Sequence, residues 1–204
     1  LHIPKTLVLC TDIFDEFMET NELYSIAMSD ISDEEMLACF LRGRLPHRLL
    51  ADLEVFIEVV KTPLAIRSSS LLEDSHYQPF AGIYSTYMIP HPDVSSEGVD
   101  MLQRAIKGVY ASVFYKDSKA YLTATQNLID QEKMAIVLQE VVGSAHGSYT
   151  DSEGRERPSY FYPTLSGVAR SLNFYPIGDE RPEDGIASLA IGLGKYIVDG
   201  GITL

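Results

Sequence analysis

The stretch IRSSSLLEDSHYQPFAGIYSTY, residues 66–87, decides how the rest of the chain is interpreted. An apolar run ends at Arg67, and three serines follow at once, Ser68, Ser69 and Ser70. The guanidinium group of Arg67 is a planar fork of donors that matches phosphate oxygens. The serines add hydroxyl groups and a run of backbone N–H groups that can form an anion-binding nest. The stretch indicates either a phosphate-binding loop or an ordinary polar connection.

The remaining residues of this stretch leave the same alternatives open. Glu73 and Asp74 either hold Mg²⁺ through water or pair with Arg67 in an ion pair. Gly82 permits a close approach of the backbone to a ligand, and Thr86 can reach a phosphate. Short motifs of this kind often match by chance, so the residue types alone do not decide between the two.

Composition limits the classes of function. The chain has 204 residues, 46% of them hydrophobic, and fits one large domain or two small lobes. Its formal net charge of −13 argues against a nucleic-acid-binding surface, which needs clustered Lys and Arg. The same charge disfavours adhesion to anionic membranes. A nucleotide remains compatible, because one local basic group can hold it within an acidic protein.

The cysteines and the apolar runs point to a reducing compartment. Cys10 and Cys39 stand in apolar surroundings, and we expect both to be buried free thiols. No apolar run approaches the roughly 18 residues of a membrane span, and no signal-peptide pattern is present. The sequence therefore predicts a cytoplasmic protein. Because it starts at Leu1 rather than Met, we expect a piece of a longer chain.

The order of elements predicts an α+β fold. TLVLC (6–10) is typical of a strand, and a helix capped by Thr11 or Asp12 follows. SDEE (32–35) is a capping box that opens a second helix, and Pro46 begins another. Residues 1–62 are therefore predicted to be mainly helical. Residues 63–204 are predicted to form an α+β part with a mainly antiparallel sheet and flanking helices, in one structural unit with the first part.

A second candidate segment is VLQEVV, residues 137–142. It continues an apolar run that predicts a buried strand, in which Gln139 and Glu140 are costly unless they are satisfied. An edge or hinge strand here presents backbone groups to a purine, with Val141 and Val142 packing on its face. The alternative is a sheet strand with one polar face. Other motifs fail: GLGK (192–195) lacks the further residues of a P-loop.

Taken together, these segments resemble the nucleotide-binding domain of the phosphoenolpyruvate synthase and pyruvate phosphate dikinase family. The block from Leu64 to Tyr87 is the most specific part, with its order of Arg-Ser-Ser, acidic pair, Phe-Ala-Gly and aromatic segment. The resemblance covers most of the chain and also includes these segments in order: IPKTLVLCTDIFDEFMETNEL (3–23), AIKGVYASVFYKDSKAY (105–121), VLQEVV (137–142), SGVARSLNFYP (166–176) and AIGLGKYIVDGG (190–201).

The resemblance implies an ATP-grasp-like fold in which two lobes hold ATP, with Mg²⁺ as a second cofactor. It implies that Arg67 contacts the nucleotide phosphates and acts in catalysis. The other residues that it implies in nucleotide binding are Ser68, Ser69, Ala81, Gly82, Thr86, Gln139, Glu140 and Val142. In the family, the phosphoryl group passes from ATP to a histidine on a separate domain and then to pyruvate. The implied partners are therefore the phosphohistidine and pyruvate domains of the parent chain.

The chain also departs from the family pattern. A glycine-rich lysine segment is expected before Leu1, and a later strand with an acidic residue and a Gln-x-Arg pair is absent. Lys195 stands where many relatives have an acidic residue. We therefore expect this piece alone to be catalytically incomplete. Two alternatives to a phosphotransferase domain remain: a regulatory or binding module that keeps the fold, and a purely structural α+β domain.

Overall fold

The computed structural model describes residues 3–70, 73, 83–90, 95–124, 132–152 and 154–192. The chain divides into two compact units, Leu1–Val141 and Val142–Leu204. The sequence predicts a mainly helical part, residues 1–62, and an α+β part that begins at residue 63. Both sides of that boundary lie in the first unit, because a strand near the start of the chain pairs with one near residue 138.

Helices dominate the first sixty residues, as predicted. The capping box is confirmed: Ser32 Oγ accepts from the Glu35 N–H at 3.2 Å, and Glu35 Oε2 accepts from the Ser32 N–H at 3.0 Å. The first helix begins one or two residues earlier than a cap at Thr11 or Asp12 predicts, with Cys10 at its N-cap position and no side-chain cap. The helices of this part are α1 (Thr11–Thr20), α2 (Tyr24–Ala27), α3 (Asp33–Arg42) and α4 (His47–Val59).

The first unit is built on a four-stranded antiparallel sheet. Its strands are β1 (Thr6–Leu9), β2 (Leu64–Ser69), β3 (Tyr87–Ile89) and β4 (Ala135–Glu140), in the spatial order β1-β4-β2-β3. The sequence IYSTYMI (83–89) is typical of a strand, but only its last three residues pair with β2. The apolar run at 134–142 does form a strand, β4, which lies between β1 and β2 and is not an edge strand; only one of its faces is buried, at Ile136 and Leu138.

Alternation along the strands gives this sheet two different faces. Ile66 and Leu138 are fully buried and point toward the helices, whereas Arg67 points to the opposite, more open face. Two further helices, α5 (Ser96–Ser112) and α6 (Lys116–Ala124), complete the unit. The core is mainly aliphatic, and it includes a group of aromatic rings in contact from α1, α3, α5 and the turn after α5, namely Phe14, Phe17, Phe40, Tyr110 and Phe114.

The described strands of the second unit form two antiparallel pairs. The sequence GSYTDSEGRERPSYFY (147–162) alternates polar and aromatic residues around a glycine-containing turn, which predicts a hairpin, and β5 (Ser144–Thr150) pairs with β6 (Glu156–Tyr162). SGVARSLNFYP (166–176) is typical of a strand; β7 (Leu165–Arg170) covers its first part and pairs with β8 (Ile186–Ile191), which the pattern did not predict.

The expectation of two buried thiols is wrong. Cys10 is exposed, since it lies where β1 ends and α1 begins, and Cys39 is only partly buried on α3. The guanidinium group of Arg42, one turn later, donates to Cys39 Sγ at 3.0 Å. Across the part of the chain that the structure describes, no helix combines the length and apolarity needed to cross a membrane.

Candidate functional site

Arg67 stands on the open face of the sheet, near the end of β2. It lies opposite Val137 on β4, and its side chain is exposed. On the other side, β2 pairs with β3 only as far as Ile66 and Tyr87. Residues directly opposite in an antiparallel pair point to the same face. Arg67 therefore shares its face with Val137.

A polar pocket of about 280 Å³ opens at this position. It is lined by Arg67, Ser68, Ser69, Glu73, Val137 and Gln139. Four of these residues belong to the predicted site: Arg67, Ser68, Ser69 and Gln139. Two segments that are about seventy residues apart in sequence therefore meet at one pocket, because β2 and β4 are neighbours in the sheet.

Glu73 is bonded to the serines of its own segment rather than paired with Arg67. Its Oε1 accepts from Ser68 Oγ at 2.8 Å, and its Oε2 accepts from the Ser70 N–H at 3.1 Å. The Glu73 N–H donates in return to Ser70 Oγ at 3.4 Å. Ser70 and Glu73 thus form the reciprocal bonds of a capping box. Among the residues that the structure describes, no ion pair engages Arg67, and its side chain is exposed.

Gln139 and Glu140 are adjacent in sequence, but one lines the pocket and the other joins strand ends. Gln139 lines the pocket, and its Nε2 donates to Thr6 Oγ1 at 3.3 Å. Glu140 instead joins the ends of the strands: its carboxylate accepts from Thr62 Oγ1 at 3.1 Å and from the Lys5 N–H at 3.0 Å. The cost expected for a carboxylate at this strand end is therefore met by hydrogen bonds.

The backbone of this segment is also occupied. The Glu140 N–H donates to Lys5 O at 2.9 Å, and the Val141 N–H donates to Pro63 O at 2.8 Å. These two donors are not presented to a ligand, contrary to the idea of an edge strand. Val142, the first residue of the second unit, is 49% exposed.

The other predicted site residues fall into two groups. Thr86 is exposed, directly precedes β3 and is not in the lining of the pocket. Asp74, Ala81, Gly82 and Lys195 lie outside the described residues, so their positions stay predictions.

Sequence reasoning missed a buried polar cluster next to the pocket. The hydroxyl group of Tyr84 donates to Glu132 Oε1 at 3.1 Å, and both residues are more than nine-tenths buried. Burial raises the pKa of Glu132, and the charge of Glu73 adds to the rise, while hydrogen bonds from Ser70 and Tyr84 oppose it. Burial, followed by the charge of Glu132, raises the pKa of Tyr84.

A sequence signal existed for only part of this arrangement. The spacing of Ser70 and Glu73 is the S-x-x-E pattern of a capping box, which was recognised at residues 32–35 but not here. No local pattern marks Glu132 as buried, since it stands in a polar stretch and its partners lie 48 or more residues away.

The donor set of the pocket suits an oxyanion. Arg67 supplies a charged fork of donors, Ser69 a hydroxyl group and Gln139 an amide group. These donors match the acceptor oxygens of a phosphate or a carboxylate group. A volume of about 280 Å³ accommodates phosphate groups rather than a whole nucleotide. A nucleotide bound here would extend beyond the pocket, over the open face of the sheet.

Comparison with known proteins agrees with this chemistry. The family model of the pyruvate phosphate dikinase AMP/ATP-binding domain matches residues 1–203. The chain is also 26% identical over 214 residues to the uncharacterized phosphotransferase YvkC of Bacillus subtilis (strain 168). That alignment covers all of this chain and 21% of the relative, so the chain spans about a fifth of the length of that protein. With its α+β fold and antiparallel sheets, the chain belongs to the family of the pyruvate phosphate dikinase AMP/ATP-binding domain.

Proposed function

We propose that this chain is the ATP-binding domain of a phosphotransferase that passes a phosphoryl group from ATP to a histidine on another domain, and from there to pyruvate. The observation that carries the proposal is the shared pocket of Arg67 and Gln139, in a chain of the AMP/ATP-binding family. Phosphoryl transfer depends mainly on positioning and on neutralising charge. Arg67, with no ion-pair partner among the described residues, fits that task.

The roles within the pocket follow from the donors. Arg67 binds phosphate oxygens through its fork and stabilises the charge that develops during transfer. Ser69 and Gln139 orient the same group from either side. Ser68 contributes indirectly, because its hydroxyl group is bonded to Glu73 and fixes the turn that follows Arg67.

The described residues do not provide a matching set for Mg²⁺. No three His, Cys, Asp or Glu side chains in the described parts of the chain come close enough together to hold a metal ion. Both oxygens of the carboxylate at the pocket, Glu73, already accept hydrogen bonds. Mg²⁺ therefore enters the proposal only as the companion of the ATP phosphates, and no residue is assigned to it.

The proposal is tested by calorimetry of ATP binding to the intact protein. Hydrogen bonds to charged groups contribute about 1.5–3 kcal/mol, so Arg67→Ala should weaken ATP binding by about 10- to 150-fold. Arg67→Lys keeps the charge but loses the fork and should give an intermediate affinity. Lys61→Ala, which removes an exposed cation outside the pocket, is the control. Wild-type affinity in Arg67→Ala would refute the site.

The transfer route needs a separate experiment. The intact protein is incubated with ATP that carries labelled phosphates, and acid-labile label on the protein is measured before and after pyruvate is added. Label that appears and then moves to pyruvate supports the full route. ATP binding without any labelling of the protein would instead identify a binding module of the same fold.

A further inference from the structure

Three strand ends meet beside the phosphate pocket in a buried polar cluster. Ser70 directly follows β2, Tyr84 precedes β3 and Glu132 precedes β4. Their exposed fractions are 6%, 5% and 8%, respectively. The antiparallel register places Ser69 opposite Ala135, so the end of β2 and the start of β4 belong to the same end of the sheet. This cluster lies next to Arg67 but has no part in the proposed binding of phosphate.

Burial and a neighbouring carboxylate disfavour the ionised form of Glu132, whereas two hydroxyl groups that donate to it favour that form. The described groups that face it are the hydroxyls of Ser70 and Tyr84 and the carboxylate of Glu73. No described cation acts on it: Lys133, the next residue, donates instead to Asp15 Oδ2. A buried carboxylate next to another carboxylate, with no cation, is costly to ionise. The two hydroxyl groups offset only part of that cost.

The cluster is connected to Arg67 through a short chain of contacts. Glu73 holds Ser68 by its hydroxyl group and Ser70 by its backbone, and these two residues follow directly on Arg67. A change of charge at Glu132 acts on both Ser70 and Glu73. A change of charge at Glu132 therefore acts on the turn between Ser68 and Glu73. Because this turn fixes the end of β2, it also influences the direction of the Arg67 side chain.

We propose that Glu132 is a positioning residue for the Arg67 pocket: as a neutral acid it ties the segments before β3 and β4 to the end of β2, and its ionisation loosens the Ser68–Glu73 turn. The inference rests on the proposed function only for its effect on ATP. The local effect on the turn is independent of any ligand.

The direction of the pH dependence follows from linkage. The folded protein holds the proton of Glu132 more tightly than the unfolded chain does, since burial raises its pKa above the ordinary value of 4.5. The stabilisation that the neutral acid gives is complete below that ordinary value. It is lost as the pH rises through the raised pKa, and no further loss occurs above it.

The ligand-independent test is amide hydrogen exchange of residues 67–70 in the intact protein, without nucleotide. Wild type is compared with Glu132→Gln, which keeps the shape and cannot ionise. The ratio of the wild-type opening constant to that of the variant should rise by up to about tenfold per pH unit in the window between the two pKa values, and then level off. Glu58→Gln, an exposed position on α4, should follow the wild type. A ratio that is constant with pH would overturn the proposal.

ATP binding, measured from pH 4.5 upward by calorimetry, tests the coupling to the pocket. The affinity of the wild type should fall relative to that of Glu132→Gln across the same window. If the exchange ratio changes with pH while ATP binds at no pH, the proposed function fails and the role of Glu132 in the turn stands. If ATP binds and both proteins show the same pH profile, the role of Glu132 fails alone.

Discussion

Arg67 and Gln139 occupy diagonal positions on the same face of the β2–β4 pair. Arg67 stands opposite Val137, and Gln139 stands opposite Ala65. Diagonal neighbours in an antiparallel pair are roughly 7–8 Å apart, a distance that long side chains bridge. Both side chains line one pocket. Both side chains are therefore within reach of one group bound in the pocket, whereas the family resemblance implies that Arg67 contacts the phosphates and that Gln139 borders the adenine.

Gln139→Glu should weaken ATP binding, because it keeps the shape of the side chain and adds a negative charge beside the phosphates. We expect about a tenfold loss at low ionic strength, which becomes smaller as salt screens the charges. Calorimetry at two salt concentrations measures both effects. Gln103→Glu, on α5, adds the same charge outside the pocket and should leave the affinity close to that of the wild type. Equal losses in the two variants would contradict the placement of Gln139.

Glu73→Ala should weaken ATP binding by loosening the turn, because it removes the bonds to Ser68 and Ser70. The chain offers a matched control: Glu35→Ala breaks the other capping box, at Ser32, away from the pocket. Glu35→Ala should lose about 1 kcal/mol of stability, as is usual for a helix cap, and Glu73→Ala should lose about the same because a net hydrogen bond contributes about 1 kcal/mol. Only Glu73→Ala should change the ATP affinity, which calorimetry and chemical denaturation measure together. A similar affinity in both variants would show that the turn does not position Arg67.

Tyr110→Phe should leave the stability of the protein unchanged or raise it. The Tyr110 hydroxyl group is buried on α5 and has no hydrogen-bond partner among the described residues, and burial raises its pKa. Removing an unsatisfied polar atom relieves a cost of about 1–3 kcal/mol. Tyr84→Phe makes the same chemical change at a hydroxyl group that donates to Glu132, and should destabilise. Chemical denaturation of both variants checks this, and a large loss of stability in Tyr110→Phe would contradict it.

Gly108→Ala should destabilise the first unit through a close contact between α5 and β3. A Cβ atom at Gly108 would lie 2.6 Å from the Tyr87 hydroxyl oxygen. Overpacking of this kind costs about 1–3 kcal/mol, which outweighs a gain of about 1 kcal/mol in helix propensity. In a Tyr87→Leu background the ring is absent, so the alanine should become neutral or stabilising. Denaturant unfolding of the single and double variants measures this change of sign.

The sequence predicted the elements whose signals are local. The capping box at Ser32 and the strand β4 were identified from spacing and from an apolar run, and both are confirmed. The strand β8 was missed, and only its pairing with β7 reveals it. The exposure of Cys10 was missed because an apolar neighbourhood in sequence is not an apolar neighbourhood in space.

Part of the candidate site was also predictable. The polar side chains around Arg67 indicated an anion site, and the structure sets Arg67, Ser68, Ser69 and Gln139 around one pocket. The role of Glu73 could not be decided from residue types, since a carboxylate near an arginine is equally compatible with an ion pair and with a capping box. The burial of Glu132 depends on contacts with distant strand ends, which no local pattern reveals.

Along β2 and β4, residues that fill the core alternate with residues that line the pocket. Ile66 and Leu138 fill the core, and the next residue along each strand, Arg67 or Gln139, faces the pocket. Substitutions at one set can therefore change ligand binding with little effect on folding, and the reverse holds for the other set. Deleting a single residue within β2 would remove this independence, because it would turn the arginine into the core and the isoleucine into the solvent.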